Sequence, residues 1–149
     1  MPEYLETTVD KFIFRVAADR SYSRDGLWVL AEAGNARIGL SDYLQQRSGD
    51  VAFAEVKPVG ATLSAGDEVA TIETIKVNVV LPSPVSGKVV EVNPSMATAP
   101  EMVNQDPYGQ GWLAVIEAAA WDKDQARLLS PQAYLEVMRR EAEDEAKKR

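Results

Sequence analysis

The chain has 149 residues, a net charge of −7, and neither cysteine nor histidine. Those two absences exclude disulfides, thiol nucleophiles, thiolate or imidazole metal sites and histidine-based acid–base catalysis. An acidic balance without a basic face argues against nucleic-acid binding, no apolar run approaches a membrane span, and 46% apolar residues with three Trp mark a globular chain of about one-domain size.

The first ten residues, MPEYLETTVD, are acidic and lack the basic and apolar regions of a signal peptide, so a soluble cytoplasmic protein is expected. Residues 11–17, KFIFRVA, alternate Phe12, Phe14 and Val16 against Ile13 and Arg15, which predicts a strand. SRDG at 23–26 is a turn. LWVLAEAGNARIGL predicts a hairpin with its loop at Gly34-Asn35 and its second arm over Ala36 to Leu40. SDYLQQRSG predicts a short helix. Ser41 caps its start, Asp42 lies in its first turn, Gly49 closes it in the left-handed conformation, and Leu40, Tyr43 and Leu44 pack it down.

From Asp50 to Glu117 the pattern is all-β. VAFAEV, GATLSAGDEVATIE, KVNVVLP, GKVVEVN and GWLAVIE are short runs punctuated by Gly, Pro and Ser, which predicts a sandwich or small barrel. A long loop with three prolines separates the last two, with one helical turn expected over Pro100 to Val103 and turn chemistry at Asp106 to Gly109. The C-terminal segment predicts a helix over about 130–146. Ser130-Pro131 starts it, Tyr134, Leu135 and Met138 form its apolar stripe, and i,i+4 pairs are expected at Glu136–Arg140, Glu143–Lys147 and Asp144–Lys148.

One stretch stands out. In IETIKVNVVLPSPVSG a single Lys76 sits between two β-branched runs, and the nearest cations are Lys57 and Lys88. A continuous strand from Glu68 to Leu81 would exceed the usual length, so a tight hairpin over Thr74-Ile75-Lys76-Val77 is the economical reading. That turn has no Gly, Pro, Asn or Asp, and it exposes apolar side chains. On local pattern alone, a solvated lysine and a special one both remain open.

The stretch GDEVATIETIKVNVVLPSPVSGKVVEVN resembles the lysine hairpin of lipoyl and biotinyl carrier domains. The shared pattern is Gly66-Asp67, then Glu73 three before Lys76, then Ser83-Pro84 with Gly87. Ile75 before the lysine is closest to the H proteins of the glycine cleavage system. IGLSDYLQQRSGDVAFAEVKPVGATLSAGD, VNQDPYGQGWLAVI and LLSPQAYLEVM extend the resemblance to that branch over roughly residues 22 to 140.

The resemblance implies a mainly β lipoyl/biotinyl-type β-sandwich (barrel-sandwich hybrid) with a short internal helix and a C-terminal helix. It implies one domain over residues 1–149 with its core over about 12–117. By carry-over, Lys76 holds lipoate through an amide bond. Glu73 serves recognition by the attaching lipoate ligase, or is simply a solvated strand residue, and Ile75 and Val77 shape the tip. The protein is then a carrier and not an enzyme. Its arm would shuttle intermediates and reducing equivalents between partners, with dihydrolipoamide dehydrogenase reoxidising it. Gly26-Leu27-Trp28 in place of a His-Glu-Trp motif, Glu73-Thr74-Ile75-Lys76-Val77, and the longer N-terminus resemble the lipoate-binding proteins of heterodisulfide-reductase-like sulfur oxidation. The expected partner is therefore that complex. The alternative is the glycine cleavage enzymes, with the arm carrying an aminomethyl group, and an unmodified binding module or a carboxylate enzyme on the same scaffold are remoter readings.

Overall fold

A computed structural model describes residues 3–148. The strands are β1 (Tyr4–Val9), β2 (Phe12–Ala17), β3 (Ser21–Tyr22), β4 (Leu27–Glu32) and β5 (Asn35–Leu40), followed by helix α1 (Asp42–Ser48). Next come β6 (Val51–Val56), β7 (Thr62–Leu63), β8 (Glu68–Thr74), β9 (Asn78–Pro82) and β10 (Gly87–Val92). Two single-turn helices, α2 (Ser95–Thr98) and α3 (Met102–Gln105), lead to β11 (Ala114–Ala118), α4 (Trp121–Gln125) and the long α5 (Pro131–Lys147).

Two sheets face each other. One has six strands in the order β3-β4-β5-β11-β10-β7, and the other has three in the order β6-β8-β9. Their inward residues form one core that includes Leu27, Ile38 and Ile116 from the first sheet and Val69, Ile72 and Leu81 from the second. This is the mainly β sandwich expected, with the internal and C-terminal helices in place. A second core lies beneath the β1–β2 hairpin and α5, where Phe14, Val16, Tyr22, Trp28, Tyr43, Tyr134 and Met138 are buried together. Tyr22 and Tyr134 stack there at 4.6 Å, and the Tyr22 hydroxyl donates to the Ala17 carbonyl at 2.8 Å.

Several local expectations need correction. The β4–β5 turn is Ala33-Gly34, not Gly34-Asn35, and Asn35 already pairs with Glu32. A two-residue turn with the right twist needs positive φ at both positions. Gly34 supplies one (86°) and Ala33 accepts the other (49°). The proline-rich loop holds two helical turns and not one over 100–103. Pro100 forces the residue before it out of the helical region, so Ala99 takes φ −149°, ψ 61° and separates α2 from α3. In α5 the ion pairs centre on Arg139, whose guanidinium fork reaches Glu136 at 2.6 Å and Glu143 at 3.8 Å. The expected pairs do not appear among the ion pairs of the described residues. Strand β1 and helix α4 had no sequence expectation. Among the described residues no helix is long and apolar enough to cross a membrane.

The helix caps behave as predicted. The Ser41 hydroxyl accepts from the Leu44 N–H at 3.3 Å, and the Ser130 hydroxyl accepts from the Ala133 N–H at 3.1 Å, each satisfying one of the first unpaired donors of its helix. Gly49 does close α1, but with φ 92° and ψ −172° it is not in the left-handed helical pair of angles. Its N–H still donates to Gln45 O.

Candidate functional site

Strands β8 and β9 form an antiparallel hairpin whose last ladder pair is Glu73 with Asn78, leaving Thr74 to Val77 as the tip. The missing turn residues are replaced by one hydroxyl. Thr74 Oγ1 accepts from the Lys76 N–H (3.1 Å) and the Val77 N–H (3.0 Å), and it donates to the Val77 carbonyl (3.0 Å). The Thr74 N–H also donates to that carbonyl at 2.9 Å. A threonine can tie its own turn this way, more weakly than Asn or Asp. At the other end of the hairpin, the Gly66 N–H donates to Ser83 O at 2.8 Å and the Ser83 N–H donates to Asp67 O at 2.7 Å. The Gly-Asp and Ser-Pro motifs therefore tie the base of the hairpin, and Lys76 stands at its free end.

Lys76, Ile75 and Val77 are all exposed, Ile75 to 84%. Glu73 lies on the outward face of β8, opposite Phe53 on β6 and Asn78 on β9. It makes no ion pair among the described residues, so the structure does not join it to Lys76. The lysine stem lies back over the end of α1. A Cβ built on Gly49 would stand 3.2 Å from Lys76 Cε, so a glycine here leaves room for the stem. Gly49 is itself fixed by Asn104 of α3, whose amide donates to Gly49 O (2.9 Å) and Gln45 Oε1 (3.0 Å) while its oxygen accepts from the Val51 N–H (2.9 Å). Asn104 thus locks the platform under the lysine.

Beside the stem is a groove of about 310 Å³ that Lys76 lines together with Phe12 and Phe14 of β2, Tyr43 and Arg47 of α1, and Glu145 of α5. The Tyr43 ring packs edge-on against Phe14 at 5.3 Å, and Tyr43 is only 5% exposed. Its hydroxyl makes no hydrogen bond of full geometry among the described residues, although the Glu141 carboxylate interacts with it. Burial pushes this phenol up to about 12; Arg47 pulls it down, and Glu141 and Glu145 add to the rise. A buried hydroxyl without a full hydrogen bond is uncommon, and it marks a place where an added polar group would be welcome. Arg47 pairs with Glu141 at 3.6 Å at the margin of the groove.

Of the residues expected from the sequence, Ile75, Lys76 and Val77 lie in the tip of the β8–β9 hairpin and Glu73 in its last ladder pair. Sequence reasoning missed Thr74, although a Thr two before the lysine is a readable turn former. It also missed Phe53, whose large ring lies on the otherwise polar face of VAFAEV. Gly49 was read only as a helix end. Asn104 and the groove gave no local signal, because their partners lie 53 or more residues away in sequence.

The family model described as glycine cleavage H-protein matches residues 20–141. A glycine cleavage system H protein of Carboxydothermus hydrogenoformans is 39% identical over 128 residues, covering 86% of this chain and 98% of the relative. One from Rubrobacter xylanophilus is 41% identical over 119 residues, covering 80% and 91%. The crystal structure of a glycine cleavage system H protein from Mycobacterium marinum superposes with a TM-score of 0.74 at 32% identity, over 81% of this chain and 97% of that one.

Proposed function

The chain belongs to the glycine cleavage H-protein family, and we propose that it is a lipoyl carrier of glycine cleavage with Lys76 as the attachment site. H proteins carry a covalently attached lipoate on a lysine. The observation that carries the assignment to Lys76 is its position: an exposed lysine at the free end of a hairpin whose base is tied by the Gly-Asp and Ser-Pro motifs.

The neighbouring residues fit an acylated lysine. Acylation removes the ammonium charge. The lysine stem already lies along a groove with aromatic walls and a Tyr43 hydroxyl that lacks a full hydrogen bond. When bound, lipoate supplies a cyclic disulfide that opens to a dithiol, sulfur chemistry that a chain without cysteine cannot supply itself. The protein's own part is to hold the tip rigid through Thr74, to support the stem on Gly49 and Asn104, and to present the arm. It acts as a carrier and not as a catalyst, in the cytoplasm, with residues 1–149 as one functional unit.

Attachment requires an activated lipoyl acyl donor held by a lipoate ligase. The bond from the acyl carbon to its activating group breaks, an amide bond forms at Nζ, the activating group leaves, and the lysine ammonium releases two protons. The further partners are the glycine cleavage enzymes and dihydrolipoamide dehydrogenase. The sequence features that pointed instead to sulfur oxidation carry less weight in the structure. Leu27 and Trp28 are buried, so they serve packing, and the relatives found favour the glycine cleavage alternative. The heterodisulfide-reductase-like complex has no support from them.

Reconstitution tests the reading. The lipoylated chain, given the glycine-decarboxylating and aminomethyl-transferring enzymes, should support glycine-dependent release of carbon dioxide. Lys76→Arg should support none. Lipoylated protein that is inert with those enzymes would refute the glycine cleavage assignment.

A further inference from the structure

The outer face of the three-stranded sheet carries large apolar side chains that the core does not use. Alternation along the strands turns Ala54, Ile72 and Val79 inward, where Ile72 is buried in the core and Ala54 and Val79 pack against it. It turns Phe53, Glu73 and Asn78 outward in one cross-strand row, and Glu55, Thr71 and Val80 in the next. Phe53 is 68% exposed and Val80 58%, and the row ends at the tip, with Ile75 and Val77 beside Lys76. Glu55 and Glu73 make no ion pair among the described residues. The one acid–base pair of this sheet, Lys57 with Glu68 at 3.2 Å, lies at the end away from the tip. The face therefore sets two exposed apolar side chains, Phe53 and Val80, among polar ones, two of them carboxylates without an ion pair, and it runs up to the lysine tip.

We propose that this face docks the enzyme that acylates Lys76, and that the enzyme presents an apolar recess for Phe53 flanked by Lys or Arg side chains. The inference rests on the carrier reading and names the partner of the same lysine. The choice of partner follows from reach. An acylating enzyme must bring Nζ itself to its acyl donor, so it must cover the surface within a four-carbon stem of the tip. An enzyme that uses the far end of a lipoyl arm has no such need. Phe53 forms the anchor, since an aromatic ring carries much of the energy when an interface buries it, and Val80 packs beside it. Glu55 and Glu73 supply steering, which raises the association rate and weakens with salt.

The test follows acylation of the unmodified protein by a lipoate ligase with lipoate and Mg-ATP, by intact mass, together with direct binding of the unmodified protein to that ligase by calorimetry. Phe53→Ser should weaken binding and raise KM by about 10-fold or more with kcat kept, and Phe53→Tyr should restore both. Glu55→Lys should lower kcat/KM and flatten its dependence on salt. Wild-type binding, KM and salt profile in both variants would overturn the inference while leaving the carrier reading intact, provided the wild type is acylated on Lys76. Normal acylation of the variants with impaired transfer by the glycine cleavage enzymes would also overturn it, because the face would then serve those enzymes. A wild type that no lipoate ligase acylates would overturn the carrier reading, and this inference with it.

Discussion

Replacing Thr74 by Val tests whether one hydroxyl holds the lysine tip. Val keeps the branched stem and the strand preference of Thr, so only the oxygen is lost. The oxygen takes part in three hydrogen bonds of 3.0–3.1 Å, to the Lys76 and Val77 N–H groups and to the Val77 carbonyl. The tip is exposed, so water replaces the lost partners and no buried group is left unpaired. The net loss should then be about 1–2 kcal/mol, from roughly 0.5–1 kcal/mol for each backbone donor released. For a chain of this size that lowers Tm by about 2–6 °C. Thr74→Ser, which keeps the oxygen, should fall within about 0.5 kcal/mol of the parent. Hydrogen exchange is the sharper assay: the Lys76 and Val77 amides should lose about 10-fold protection in Thr74→Val while the β8–β9 ladder amides keep theirs. Unchanged protection at those two amides would refute the account of the turn.

Gly49→Ala should cost about 1–2 kcal/mol, because φ 92° is unfavourable for any residue with a Cβ, and chemical denaturation will read it. Asn104→Leu should cost about 2–4 kcal/mol, since it strands the Gly49 and Gln45 oxygens and the Val51 N–H, and it should also slow acylation of Lys76. Tyr43→Phe should leave the unmodified protein as stable or up to about 1 kcal/mol more stable, because the hydroxyl it removes makes no hydrogen bond of full geometry; a loss above 1 kcal/mol in thermal unfolding would contradict that. Stability should also decline in alkali. Burial pushes Tyr43 and Tyr108 up to about 12 and raises Tyr22 and Tyr134 as well, against about 10 when unfolded. The folded state then holds more protons than the unfolded one above pH ~10, so stability is full below that pH and falls toward pH ~12. Denaturation midpoints measured across that range will show it.

Much of this molecule can be read along the chain, for reasons visible in particular residues. Ser41 and Ser130 announce helix starts because capping is local. Phe14 and Val16 announce a strand because alternation is local too. Glu73 and Lys76 were placed by resemblance to lysine hairpins that share Gly66-Asp67 and Ser83-Pro84, and in the structure those outer motifs bond to each other across the base of one hairpin. What escaped the sequence depends on contacts between distant segments. The polar run of β1 becomes a strand by pairing with β2 across the Asp10-Lys11 turn. Asn104 looks like an ordinary loop residue until α3 meets the end of α1. The groove exists only because β2, α1 and α5 converge on the lysine. Leu27 and Trp28, read as signs of a different pathway, are core residues whose identity answers to packing.

In the proposed function Lys76 is the acylated residue. Intact mass after co-expression with a lipoate ligase, followed by fragmentation of the peptide that spans the β8–β9 tip, measures this directly. The predicted result is one lipoyl increment per chain, located on Lys76 and absent from Lys76→Arg. An unmodified chain, or an increment that persists in Lys76→Arg on another lysine, would contradict it.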